Sequence, residues 1–190
     1  MRIVIFGLTG DPFTSAHMSI VRQLSERFDK VLVVPTTIRY YKKNTQMFSF
    51  NERYEAIKSK VSNISNVDVL DTERNVDEDW RTIDTIWWLQ CNCEFPKDAE
   101  WYYAMGADSF VQFPTWSQYE SILNKVKLVV FGRPGVSKES FPKIEHEFIE
   151  MNMDISSTKL RTKIIEFMSR DDFDEMIDDM SFTKGFEEYL

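Results

Sequence analysis

The chain has 190 residues, of which 43% are hydrophobic and 14% aromatic, and it carries a formal net charge of −8. This length is typical of one α/β domain, and the apolar content excludes an intrinsically disordered chain. Residues 166–190 contain nine acidic and two basic side chains, so the remainder is nearly neutral and offers no basic face for a general nucleic-acid or membrane-surface binder.

Short apolar runs alternate with helical periodicity along the chain. The run at residues 2–6 predicts a buried strand, helical spacing follows from about residue 15, and the run at 31–35 completes a βαβ unit. Further elements are predicted in this order: helix at about 51–61, strand 67–70, helix 82–90, strand 101–105, a short helix after residue 108, strand 127–131 and helix 156–168.

This alternation predicts a Rossmann-like α/β fold, with a doubly wound, mostly parallel sheet and helices on both faces. We expect one domain over residues 1–190, with a helical C-terminal part from about residue 143. No apolar run approaches the roughly 18 residues of a membrane helix. We therefore expect a cytoplasmic protein.

The first candidate site is the loop GLTGDPFTSAH, which runs from Gly7 to His17 between the first strand and the first helix. In an open α/β sheet ligands bind at this position, where the helix N-terminus offers free amides to a phosphate. Thr14 and His17 are three residues apart and can face the same ligand. Because the loop is neither a Walker A motif nor G-x-G-x-x-G, phosphate binding and an ordinary strand–helix junction both stay open.

A second candidate motif, ISSTKLR, occupies residues 155–161. Ser156 is a plausible N-cap, but the first turns that follow contain Lys159, Arg161 and Lys163 and no acid. A helix N-terminus disfavours cations, so a bound polyphosphate would explain these basic residues. A solvated basic helix start is the alternative.

Together the two motifs resemble those of nucleotidyltransferases with the signature H/T-x-G/A-H after the first strand and I-S-S-T-x-I/L-R near the end. TSAH at 14–17 and ISSTKLR at 155–161 stand in these places. The chain is most similar to the nicotinate or nicotinamide mononucleotide adenylyltransferases, whose patterns it shares in TIDT at 82–85, in GAD at 106–108 followed by Trp116, and in RPG at 133–135.

The resemblance has departures in the first loop. Leu8 stands where the family usually has a second glycine, and Gly10 stands where it usually has phenylalanine. Thr14 stands where histidine is more usual, and a threonine at this position is similar to the pattern of the phosphopantetheine adenylyltransferases. A phosphopantetheine adenylyltransferase-like enzyme and a non-catalytic nucleotide-binding relative are therefore the two alternatives.

The resemblance implies adenylyl transfer in NAD biosynthesis, in which the phosphate of a pyridine mononucleotide attacks the α-phosphorus of ATP and pyrophosphate leaves. The implied partners are these two nucleotides, without nucleic acid or a membrane, and a homo-oligomer stays open. Mg²⁺ is expected to arrive on the ATP phosphates, with no metal site on the protein.

The resemblance also implies roles for individual residues. The expected catalytic residues are Thr14, His17 and Arg161, with His17 at the α-phosphate. The expected ATP site comprises Gly7, Leu8, Thr14, His17, Gly106, Asp108, Arg133, Ile155, Ser156, Ser157, Thr158 and Arg161. The expected mononucleotide site comprises Lys43 (or its neighbour Lys42), Arg81, Thr82, Thr85, Asp108 and Trp116, with Trp116 stacking on the pyridine ring. From its place beside the two threonines, we hypothesise that Arg81 favours nicotinate over the amide.

Overall fold

The computed structural model describes residues 1–37, 47–77, 79–151 and 161. Within these residues six strands form one parallel sheet in the order β3-β2-β1-β4-β5-β6. The strands are β1 (Arg2–Leu8), β2 (Lys30–Pro35), β3 (Val67–Val69), β4 (Glu100–Gly106), β5 (Lys127–Phe131) and β6 (Glu147–Ile149). The order reverses between β1 and β4, as in a doubly wound fold, and this confirms the predicted fold class.

Helices cover both faces of the sheet, as predicted. They are α1 (Ser15–Ser25), α2 (Phe50–Val61), α3 (Thr82–Asn92), α4 (Ala107–Gln112) and α5 (Tyr119–Leu123). Successive residues of β1 point to opposite faces, so Val4 and Phe6 join one buried cluster and Ile3 and Ile5 join the other. Burial of each such side chain stabilises the fold by about 1.5 to 3 kcal/mol.

The C-terminal part differs from the prediction at its start. We expected helical structure from about residue 143, but residues 147–149 form β6 at the edge of the sheet, parallel to β5. A strand of three residues is too short to show alternation in the sequence; it is defined by its pairing with β5 and by the burial of Ile149. The predicted helix at 156–168 lies outside the described residues, apart from Arg161. No helix in the described part of the chain is long and apolar enough to span a bilayer.

Candidate active site

The loop between β1 and α1 leaves the sheet where the strand order reverses, at the carboxyl ends of β1 and β4. Gly10 in this loop has φ of +60°, a left-handed conformation that favours glycine. A Cβ atom there would also lie 3.1 Å from Cδ1 of Ile57 on α2. The Leu8 side chain is buried in the core. Both departures from the family pattern therefore have structural reasons in this chain.

His17 faces back toward the residue that caps its own helix. The Thr14 N–H donates to Nδ1 of His17 over 3.0 Å, and the Thr14 hydroxyl oxygen lies 3.0 Å from the same nitrogen. Because Nδ1 accepts a hydrogen bond, we assign the proton of the neutral ring to Nε2. The Phe13 ring stacks on the imidazole with 5.5 Å between centroids. Thr14 and His17 thus form one rigid unit.

The charge state of His17 follows from its surroundings. Burial, and then the positive charge of Arg133, lower the pKa of His17 from 6.5 to about 4. The side chain is therefore neutral at pH 7. It can present Nε2–H as a hydrogen-bond donor, but it does not contribute a formal positive charge.

Asp11 connects the two sequence motifs. Its carboxylate is buried and accepts hydrogen bonds from the N–H groups of Met47 (3.1 Å) and Phe48 (2.9 Å). The Arg161 guanidinium donates to the main-chain oxygen of Asp11, and Nη1 of Arg161 lies 3.8 Å from Oδ2 of Asp11. A residue 150 positions away in the sequence is therefore brought to the β1–α1 loop.

Asp108 and Arg133 form an ion pair beside this loop. Asp108 is in the first turn of α4, Arg133 follows β5, and Nη1 of Arg133 lies 2.6 Å from Oδ2 of Asp108. Gly106 caps α4, and a Cβ atom there would come within 2.7 Å of Oδ1 of Asp108. Because the charge of Arg133 acts on His17, these side chains belong to one cluster at the ends of β1, β4 and β5.

Tyr103 joins the β1 loop to the start of α3. Its side chain is buried, and its hydroxyl lies so close to Gly7 that a Cβ atom at Gly7 would overlap it. Tyr103 interacts with the Thr82 side chain, and burial raises the pKa of the phenol. The half-buried Trp116 packs its ring edge to face with Tyr103, at 6.2 Å between centroids. Gly7, Thr82 and Trp116 are therefore connected through one side chain.

Thr85 lies in the first turn of α3 and is buried, with 3% of its surface exposed. Its hydroxyl donates to Oε1 of Glu73 over 2.5 Å and accepts a hydrogen bond from Nε1 of Trp80 over 2.8 Å. Arg81 is the N-cap of α3, and its guanidinium donates to the Trp80 carbonyl (3.1 Å) and lies 3.5 Å from Asp79. Within this group it is the Thr82 side chain that interacts with the phenol of Tyr103.

Three buried residues in this region were not found by sequence reasoning: Arg53, Glu73 and Tyr103. Arg53 is 2% exposed, and its Nη1 donates to the carbonyl oxygens of Thr9 (2.5 Å) and Thr36 (3.0 Å). One signal was present, because Arg53 lies at helical spacing with Ile57 and Val61 on the buried face of α2. For Glu73 and Tyr103 the local sequence offers no comparable signal.

The remaining predicted site residues lie outside the described part of the chain. These are Lys42, Lys43, Ile155, Ser156, Ser157 and Thr158. Their assignments stay predictions.

The chain is similar to proteins of a known family. A family model described as "Cytidylyltransferase-like" matches residues 5–163. A protein of Maridesulfovibrio salexigens named "Probable nicotinate-nucleotide adenylyltransferase" is 31% identical over 165 residues, which cover 84% of this chain and 75% of that protein. A protein of Clostridium novyi with the same name is 31% identical over 173 residues, which cover 84% and 85%.

One solved structure is similar across the fold. The nicotinic acid mononucleotide adenylyltransferase of Plasmodium falciparum, complexed with NaAD, matches with a TM-score of 0.69 and 18% identity. The match covers 95% of this chain and 97% of that one. At this identity it supports the fold.

Proposed function

Because the chain belongs to the cytidylyltransferase-like family, with nicotinate-nucleotide adenylyltransferases among its relatives, we propose that it transfers the adenylyl group of ATP to nicotinate mononucleotide. It is a nucleotidyltransferase of NAD biosynthesis. In the reaction a phosphate oxygen of the mononucleotide forms a bond to the α-phosphorus, and the bond from that phosphorus to the oxygen bridging to the β-phosphate breaks. The products are the dinucleotide and pyrophosphate.

The observation that carries this proposal is the convergence of donors and cations at the ends of β1, β4 and β5. Thr14 caps α1 and His17 lies in its first turn, Arg161 is held there through Asp11, and Arg133 is close enough to lower the pKa of His17. No side chain in this group needs to act as a covalent nucleophile. Catalysis would come from aligning two phosphates and from stabilising the charge that develops on them.

His17 has a specific part in this proposal. The Thr14 N–H holds Nδ1, so Nε2–H is the free donor for an oxygen of the α-phosphate. A neutral donor strengthens its hydrogen bond as negative charge develops in the transition state. Arg133 and Arg161 would supply the formal positive charge, together with Ser157 and Thr158 of the second motif for the β- and γ-phosphates.

We propose that the metal ion is Mg²⁺ and that it is carried by the ATP phosphates. Among residues 1–37, 47–77, 79–151 and 161, no group of three His, Cys, Asp or Glu side chains could hold a metal ion. Two carboxylates of the cluster already have partners: Asp11 binds backbone amides and Arg161, and Asp108 binds Arg133. When bound, Mg²⁺ would offset the negative charge of the ATP phosphates.

The pyridine mononucleotide is assigned to the surface formed by Thr82, Tyr103 and Trp116. Trp116 is half-buried, with one ring edge against Phe113 at 5.3 Å between centroids, which leaves part of the indole for stacking on a pyridine ring. The first amides of α3 and the Thr82 hydroxyl can donate to a carboxylate, and Arg81 would add positive charge there. Thr85 supports this turn from below. Lys43 is proposed for the mononucleotide phosphate, and Asp108 for ribose hydroxyls.

The test is an assay with purified protein, ATP, Mg²⁺ and one acceptor at a time: nicotinate mononucleotide, nicotinamide mononucleotide or phosphopantetheine. We expect pyrophosphate and dinucleotide from the first, with a higher kcat/KM than from the second. Arg81→Gln should narrow that difference. Pyrophosphate only with phosphopantetheine would favour the alternative enzyme, and no product with any acceptor would favour a non-catalytic binding protein.

The role of His17 is tested with a matched variant, because the chain has one other histidine. His17→Ala should lower kcat/KM by about 100-fold or more, the usual loss for a preorganised transition-state donor. His146 is the control: its ring packs 4.5 Å from Phe110 between centroids, and its Nδ1 lies 2.8 Å from the Ile144 carbonyl oxygen. His146→Ala should keep kcat/KM within about twofold, whatever it does to stability. Equal effects of the two substitutions would contradict the assignment.

A further inference from the structure

Glu73 is a buried carboxylate for which the proposed reaction has no direct use. It lies in the connection between β3 and α3 and is 8% exposed. Its Oε1 accepts from the Thr85 hydroxyl over 2.5 Å, and its Oε2 accepts from the Thr37 N–H over 3.2 Å. The Thr37 hydroxyl donates to the main-chain oxygen of Glu73. One residue thus binds both the first turns of α3 and the stretch that follows β2.

The hydrogen bonds at Glu73 have a fixed direction. Nε1–H of Trp80 donates to Thr85, which directs the Thr85 hydroxyl proton toward Glu73. The Thr85 hydroxyl and the Thr37 N–H therefore both donate to the carboxylate, and a carboxylate is the side chain that only accepts. A buried charge is costly to desolvate and is a weak source of net stability. Its contribution here is the geometry that it imposes.

Glu73 also lies near groups that border the proposed site. Its charge acts on the Arg53 guanidinium, which itself donates to Thr9 in the β1–α1 loop and to Thr36. The same charge contributes to the raised pKa of Tyr103, whose hydroxyl lies against Gly7. A displacement of Glu73 would therefore change the surroundings of the start of α3 and of the Tyr103 hydroxyl beside Gly7.

We propose that Glu73 is a positioning residue for the pyridine mononucleotide: through Thr85 and Thr37 it sets the first turn of α3 relative to the ends of β1 and β2. The inference rests on the proposed function, because it assigns the start of α3 to the mononucleotide. Loss of the carboxylate should weaken mononucleotide binding much more than ATP binding, since Thr14 and His17 are held by their own hydrogen bonds.

The test substitution is Glu73→Gln, which keeps the size of the side chain but places an NH₂ group against a donor, either the Thr85 hydroxyl or the Thr37 N–H. We expect KM for nicotinate mononucleotide to rise about tenfold and KM for ATP to stay within about twofold. Trp80→Phe, which removes the indole N–H that donates to Thr85, should shift the same KM in the same direction by a smaller factor. It serves as the second variant if Glu73→Gln does not fold.

Tyr102→Phe is the control for a general loss of stability. The Tyr102 hydroxyl is hydrogen-bonded to Arg2 and Glu100, and the Tyr102 ring packs on the opposite face of the sheet from Tyr103. Removal of this hydroxyl should therefore leave both KM values unchanged. Thermal unfolding of all variants is measured, and kinetics are recorded well below the lowest Tm. If both KM values rise equally, or if neither rises, the positioning role of Glu73 is wrong. Turnover by the wild type would then still support the proposed function. If the wild type forms no dinucleotide, the proposed function fails and the inference fails with it.

Discussion

Replacement of Gly7 by alanine tests whether the contact between β1 and Tyr103 shapes the site. A Cβ atom at Gly7 would overlap the Tyr103 hydroxyl and lie 3.3 Å from Cζ of the same ring. Tyr103 is 5% exposed and packs against Trp116, with the Thr82 side chain beside its hydroxyl, so it has little room to move. We expect the methyl group to displace the phenol from Thr82.

The size of the effect follows from the kind of contact. Overpacking of a buried site usually lowers the free energy of unfolding by about 1 to 3 kcal/mol. Tyr103→Phe alone removes the hydroxyl and its interaction with Thr82, at a cost of about 1 kcal/mol. In the phenylalanine background the nearest ring atom to the new methyl group would be Cζ at 3.3 Å, so Gly7→Ala should cost much less there.

The assay is a double-mutant cycle in urea, followed by the fluorescence of the five tryptophans. We expect a coupling free energy of at least about 1 kcal/mol between the two substitutions, with the double variant more stable than the sum of single effects predicts. KM for the mononucleotide should rise in Gly7→Ala. If alanine costs the same in both backgrounds, the Tyr103 hydroxyl is not what requires glycine at this position.

Three further predictions concern charged groups of the site. Because the pKa of His17 is lowered from 6.5 to about 4, the unfolded chain binds more protons between these values; stability should fall as pH drops from 6.5 to 4, and His17→Asn should flatten that part of a urea-unfolding profile against pH. Arg53→Met should lower the free energy of unfolding by about 3 kcal/mol or more in urea melts, since it leaves the Thr9, Thr36 and Phe48 carbonyls without the donors Nη1 and Nε of this guanidinium; full recovery of stability in Arg53→Lys would show that a separate Nε donor is not needed. Asp108→Asn should change stability by less than about 1 kcal/mol, because its ion pair with Arg133 is half exposed, while KM for ATP rises severalfold; an unchanged KM would remove Asp108 from the ATP site.

Much of the fold was predictable because the apolar pattern of each strand or helix indicates which of its faces is buried. The alternation of apolar runs with helical spacing predicted the parallel sheet, and the bounds of β1, β2 and β5 agree with the apolar runs to within two residues. β6 was missed because three residues carry too little periodicity, and its pairing with β5 is what defines it. Thr14 and His17 could be predicted as a pair because their contact spans one helical turn.

The sequence by itself determined the parallel α/β architecture, five of the six strands, and the two motifs that point to a phosphate site. Only the tertiary structure decided which polar groups meet: Arg161 reaches Asp11 from 150 residues away, and Glu73 binds Thr37 across 36. It also decided that Gly7 must be glycine, because Tyr103 arrives there from a neighbouring strand. The physical reason is that hydrophobic periodicity reports which face of an element is buried, whereas hydrogen-bond partners depend on strand order, which no local pattern records.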